Sequence, residues 1–282
     1  MNRVALLLIA ALLVVTAPAT SQQSLPTAVP PFKIAGNLHY VGTSDVTAFL
    51  FTSAAGHILV DTTYEKTAPF VADSIRALGF KLEDVKIILS SHAHFDHVGG
   101  HAMLKKLTGA EVVATAEDAI NLESGGAKSF DKVGEFARVP VGRRLKDGDT
   151  VQLGGTTLTA HHVAGHTEGN TAWTTTVQEN GRRYAVVIAP SMSINPGVKM
   201  VNNPAWPGVG DAYAASFKRL KAMRCDIFLA PHAVFFDLAG KRQKQQGGAG
   251  ADAFVDPQGY QAFLDGLEKK YLEQVRQERQ AR

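Results

Sequence analysis

The chain has 282 residues, 45% of them hydrophobic and 20% charged, with a formal net charge of +3. That length and apolar content suit one large domain with a substantial core and exclude a disordered or fibrous chain. No Lys- or Arg-rich stripe interleaves with aromatics, so no nucleic-acid partner is indicated, and the single cysteine, Cys225, excludes an intramolecular disulfide.

At the N-terminus, Arg3 precedes an apolar run from Val4 to Val15 and the small residues Thr16 to Ser21. This pattern reads as a secretory signal over 1–21, too short for a good membrane span, with an uncleaved anchor as the alternative. The expected mature protein is a single domain over 22–282. It is expected to be periplasmic and a monomer, with no stable membrane association once the signal is removed.

Residues 22–35, rich in Gln, Ser and Pro, read as an irregular arm. Strand-like runs follow at 37–42, 47–53 and 57–61, with Ala54-Ala55-Gly56 as a hairpin turn. Phe70, Ile75 and Leu78 recur at helical spacing over 64–78, and Gly79 stops that helix. The largely apolar run 85–89 predicts a strand buried on both faces, leading directly into Ser90-Ser91-His92. A helix over 99–107, a strand over 111–115 and a helix over 116–123 come next. Residues 125–136 lack periodicity and are expected to form a mobile loop.

A second strand-rich section covers 150–153, 156–163, 171–177 and 184–189, with Asn180-Gly181 as a hairpin turn. An amphipathic helix is expected over 211–223, a strand over 227–230, a surface excursion over 241–252 and a charged helix over 260–276. Cys225, beside an apolar run, reads as a buried structural thiol. The order is two successive strand-and-helix halves, which predicts an α/β fold of two packed sheets with helices outside.

His92-Ala93-His94-Phe95-Asp96-His97 places four metal-ligand types within six residues at a strand exit. Imidazole and carboxylate suit zinc. His92 and His94 can reach one point and Asp96 and His97 another, which favours two ions over one. His166, in Gly165-His166-Thr167-Glu168-Gly169, and His232, in Ala230-Pro231-His232, also follow predicted strands. Either alone reads as structural; beside the first cluster both become candidate ligands.

These residues resemble the metallo-β-lactamase superfamily, whose His-x-His-x-Asp-His signature stands here as His92–His97. The resemblance runs from about Asn37 to Leu238. It implies an αββα sandwich of two mixed β-sheets and two zinc ions, one on His92, His94 and His166 and the other on Asp96, His97 and His232. Asp61 resembles the family's structural aspartate behind the metal loop, or is a plain turn acid.

Glyoxalase II and lactonases of the family carry a further aspartate after the strand preceding the last ligand, and the first β-lactamase subclass carries cysteine there. Here Ala189-Pro190-Ser191-Met192-Ser193 offers neither. Ser191 and Ser193, with the segment up to Gly197, look like the third subclass of class B β-lactamases, or are turn serines. The resemblance therefore implies hydrolysis of the β-lactam amide by metal-held hydroxide, conferring antibiotic resistance, with Asp96 as catalytic residue orienting the nucleophile. Ser191 and Ser193 would bind the carboxylate of a small-molecule β-lactam. Another di-zinc hydrolase of the fold, such as a lactonase, is the alternative. His162 reads as a core or supporting residue, His39, His57 and His101 as structural, and Trp206 as either groove wall or packing.

Overall fold

A computed structural model describes residues 25–281; the predicted signal over 1–21 lies outside them. Strands β1 (Phe32–Ala35), β2 (Leu38–Tyr40), β3 (Phe49–Phe51) and β4 (His57–Val60) form an antiparallel meander. Strands β5 (Val85–Leu89), β6 (Glu111–Thr115) and β7 (Arg143–Leu145) extend it in parallel to seven strands in sequence order. The parallel connections carry helices α1 (Ala68–Ala77), α2 (Phe95–Val98), α3 (His101–Thr108) and α4 (Ala116–Ser124). The second sheet holds β8 (Thr150–Leu153), β9 (Thr156–His162), β10 (Thr171–Glu179), β11 (Arg182–Ile188) and β12 (Ile227–Leu229) in the order β12-β11-β10-β9-β8. Helix α5 (Val209–Lys221) connects β11 to its parallel neighbour β12, and α6 (Leu238–Lys244) and α7 (Pro257–Gln280) end the chain. Among the described residues no helix is long and apolar enough to cross a membrane.

Alternation along the strands divides the interior in two. Ile58, Val60, Ile87, Leu89 and Val113 of the first sheet join Leu158, Trp173, Val186 and Ile188 of the second in the main core. Their neighbours Leu59, Ile88 and Val112 turn outward against Val71, Ile75 and Leu104. The central strands of the first sheet are thus covered on both faces, which is why 85–89 reads as almost wholly apolar; Lys86 is its one exposed position. This is the expected αββα sandwich.

One expectation is corrected, one strand is new to the sequence reading, and one excursion holds only in part. The arm over 22–35 is not irregular to its end: Phe32 and Ile34 turn inward, Phe32 pairs with Tyr40, and Gly36 (φ 56°) makes the turn into β2. β7, with two arginines in three residues, has no strand signature; pairing with Val113–Thr115 creates it. Residues 241–252 begin buried, because Lys241 packs inside with its Nζ 3.0 Å from Asp256. From Gln243 to Gly250 the stretch is exposed save for half-buried Gln245, as a surface excursion should be.

Candidate metal centre

All six candidate ligands gather at the rim where β5, β9, β11 and β12 end. His92 and His94 stand in the loop after β5, Asp96 and His97 on the short α2, His166 between β9 and β10, and His232 directly after β12. Cross-links hold the two sheets together at this rim. Trp173 Nε1 donates to Ser90 O at 3.0 Å, Thr171 N to Ser91 O at 2.8 Å, and Thr47 Oγ1 to Ala230 O at 2.9 Å. Asp61, in a left-handed conformation, accepts from both N and Oγ of Ser91 at 2.7 Å. It is therefore bound to the metal loop from behind; burial lifts its carboxyl to about 6 against the pull of His97 and Ser91.

The rings converge. His92 lies 4.9, 4.2 and 4.7 Å, between centroids, from His94, His97 and His166, and His97 lies 4.9 Å from His232. His92, His94 and His166 bring ligand atoms within 4.8 Å of one another, as do His92, Asp96 and His97. His232 stands farther out, with Nε2 3.6 Å from Asp96 Oδ2.

Comparison with known proteins adds to this geometry. The sequence model of the metallo-beta-lactamase superfamily matches residues 41–176. The FEZ-1 metallo-beta-lactamase from Legionella gormanii is 40% identical, with a TM-score of 0.88 over 90% of this chain and 98% of that one. A subclass B3 metallo-beta-lactamase of Bradyrhizobium japonicum is 35% identical, with a TM-score of 0.84 over 91% and 97%. The chain belongs to the metallo-β-lactamase superfamily. A hydroxyacylglutathione hydrolase from Hyphomonas neptunium is 37% identical over 87 residues, 30% of this chain. That match spans only 27% of the relative's length.

The likeness to these metallo-beta-lactamases supports a metal-dependent hydrolase of this superfamily, and the donor set fits a metal. His94 Nε2 faces Asp131 at 3.0 Å, and His166 Nδ1 faces the carbonyl of Ser193 at 2.7 Å. Carboxylate and carbonyl only accept, so those nitrogens carry protons, and in the neutral rings the opposite ones carry lone pairs. The two lone-pair nitrogens, His94 Nδ1 and His166 Nε2, lie 3.1 Å apart. Between two neutral rings that approach sets lone pair against lone pair, an arrangement that a shared metal cation would relieve, and burial, then the nearby His94, lowers His166 to about 3, so His166 itself offers a lone pair. Both ring nitrogens of His97 are buried without a hydrogen-bond partner. Its Nε2 lies 3.2 Å from Asp96 Oδ2, close but without hydrogen-bond geometry.

The remaining candidate ligand rings are oriented in the same way. Ser91 Oγ, which donates to Asp61, accepts from His92 Nδ1 at 3.0 Å, leaving Nε2 toward the cluster. Asp45 accepts from His232 Nδ1 at 3.1 Å, and that bond holds the Asp45 carboxyl low. Burial, then the neighbouring histidines, hold His92 well below its ordinary range. For His97 burial works against the charge, but Asp96 and Asp61 outweigh it and raise the pKa.

Ser191 and Ser193 stand beside this cluster with their hydroxyls 3.0 Å apart; Ser191 is buried and Ser193 half-buried. Asn170 Nδ2 donates to Ser191 O at 2.9 Å, and Tyr213 donates to Ser193 O at 2.8 Å. His162 turns away, its Nε2 on Glu168 O at 2.6 Å. His101 is buried against Thr62, and His57 packs edge-on to Phe80. Trp206 packs edge-on to Phe130 of the 125–142 loop at 5.0 Å. Cys225 is buried, and burial pushes its thiol to about 12.

Sequence reasoning missed Asp45 and Asp131. Each lies in a turn or an aperiodic loop, and no local pattern marks an acid that reaches a histidine 187 or 37 residues away. A cavity of about 350 Å³ opens beside Asp45, lined also by Leu25, Tyr64 and Phe95. A larger, apolar hollow of about 460 Å³ lies near Phe32 and Leu238, and neither cavity is lined by any of the six candidate ligands.

Proposed function

We propose that this chain is an exported β-lactamase that opens β-lactam rings with two zinc ions, one on His92, His94 and His166 and one on Asp96, His97 and His232. The observation that carries this reading is the extent of the likeness. The chain aligns with 98% of the Legionella metallo-beta-lactamase at 40% identity, whereas the hydroxyacylglutathione hydrolase shares 27% of its length. The segment after β11 agrees, since residues 189–198 contain neither carboxylate nor cysteine.

Bound zinc supplies Lewis acidity and lowers the pKa of the water that attacks an acyl carbon. The chain's own groups provide the rest. Asp96, whose carboxyl His97 and His232 hold low despite its burial, remains an acceptor that can orient a proton-bearing nucleophile. Ser193 Oγ, backed by Ser191 Oγ, offers a neutral donor to the substrate carboxylate.

The curated hydroxyacylglutathione hydrolases favour a second reading, thioester hydrolysis. Turnover of a penicillin, a cephalosporin and a carbapenem by the zinc-loaded mature protein, set beside a hydroxyacylglutathione thioester and a lactone, separates the two. β-Lactam turnover abolished by a chelator and restored by zinc is expected. Thioester or lactone turnover exceeding that of every β-lactam would overturn the proposal.

A further inference from the structure

The 125–142 loop between α4 and β7 has no helix or strand, yet Asp131 within it has a side chain with no solvent exposure. Its Oδ2 accepts from His94 Nε2 at 3.0 Å and from Asn195 Nδ2 at 2.8 Å, and its Oδ1 accepts from Ser129 Oγ at 2.6 Å. These partners come from three separate segments: the loop after β5, the 125–142 loop itself and the loop after β11. Phe130 beside it packs on Trp206, so the loop is fastened at two adjacent residues.

This arrangement has two consequences. A carboxylate cannot donate, so Asp131 fixes the proton of His94 on Nε2 and leaves the Nδ1 lone pair toward His166. The same oxygen also holds Asn195, two residues beyond Ser193, so one atom ties both loops flanking the cluster to one of its rings. We propose that Asp131 is a positioning residue that sets the His94 tautomer and locks the 125–142 and 190–198 loops together, so that loop docking and metal retention are one coupled event. This rests on the reading of His94 as a ligand.

A plain loop anchor would order the loop without influencing the metal. The coupled role predicts more for Asp131→Ala. In the metal-free, full mature protein, amide exchange should quicken in 125–142 and 190–198 together, and ¹⁵N spectra should show His94 populating both neutral tautomers. In chelator competition, zinc held by the His92, His94 and His166 set should bind about 10–100-fold more weakly, the usual loss when a ligand's orienting partner is removed. Asp131→Asn, whose amide oxygen can still accept from His94, should recover most of the tautomer preference and the loop protection. It keeps the test informative if the alanine variant folds poorly.

Asn195→Ala should release 190–198 with a smaller change in zinc affinity. Freed loops with unchanged zinc affinity and tautomer in Asp131→Ala would reduce Asp131 to an anchor and overturn the proposal. Weakened zinc with both loops still protected would overturn the coupling. His94→Ala serves as the reference: unchanged zinc affinity there would instead refute the ligand reading on which the proposal rests.

Discussion

Four of the five clustered rings use one nitrogen to bond to the protein, and the partner of that nitrogen decides which atom faces the cluster. Ser91, Asp131, Ser193 and Asp45 do this for His92, His94, His166 and His232. His162 is close in sequence to His166, but both its position and its bond to Glu168 O point it elsewhere. His166→Ala should therefore remove most zinc-dependent hydrolysis and one equivalent of tightly bound metal, while His162→Ala leaves metal content intact; equal metal loss in both would refute the assignment. Buried Asp118 gives a pH-dependent expectation, since burial, against bonds that include the Gly169 N–H, raises its carboxyl from 3.8 to about 7. Between those values the unfolded chain releases a proton that the folded chain keeps, so stability falls as pH rises through that window, by up to about 4 kcal/mol. Asp118→Asn, which cannot ionise, should melt above the parent at pH 8 and lose that advantage toward pH 4, measured on metal-free protein to exclude zinc loss. A Tm difference that does not change with pH would refute it. The candidate ligands were legible in the sequence because four of them crowd into six positions. Asp45, Asp118 and Asp131 were not, since their significance lies in contacts that only the fold creates.

The elements that present these residues depend on close backbone approach. Gly99 and Gly100 follow α2, and a Cβ on Gly100 would lie 2.4 Å from Ala68 Cβ and 2.6 Å from Thr62 O. Neither contact is the far end of a flexible side chain, so α2 or α1 must move, and Asp96 and His97 move with α2. Gly100→Ala should cost about 1–3 kcal/mol by overpacking, several degrees in Tm, and should weaken zinc binding as well. Gly266→Ala on α7, where nothing lies within 4 Å of the added methyl, should be neutral or slightly stabilising. Calorimetry of both variants checks the contrast, and equal melting points would mean the packing around Gly100 yields readily. At this scale the sequence was informative where burial on two faces or strict alternation left a trace. The bounds of β5, β6 and β8 match the runs 85–89, 111–115 and 150–153. β1 hid behind prolines, and β7 exists only because β6 offers it a free edge.

At the scale of the whole molecule, the cluster spans the two sheets. His92, His94, Asp96 and His97 follow β5 of the first sheet, whereas His166 and His232 belong to the second. The sequence showed two strand-and-helix halves and a ligand set divided between them, but not the cross-links from Trp173, Thr171 and Thr47 that align the two rims. Because the candidate ligands converge only when both sheets are in place, zinc held by them would bind the folded chain far better than the unfolded one, and mass action would then raise stability. Free zinc at a hundred times its dissociation constant adds about 2.7 kcal/mol, which for a chain of this length is about 5 °C in Tm. Removing zinc with a chelator should therefore lower Tm by at least that amount in a single cooperative transition, and readdition should restore it. If each ion bridges the sheets independently, His166→Ala and His232→Ala should each retain part of the zinc-dependent increase, and the double variant should lose all of it. A zinc-dependent increase that survives intact in the double variant would place the stabilising ion within the His92–His97 loop alone, and would remove the bridging role assigned to His166 and His232.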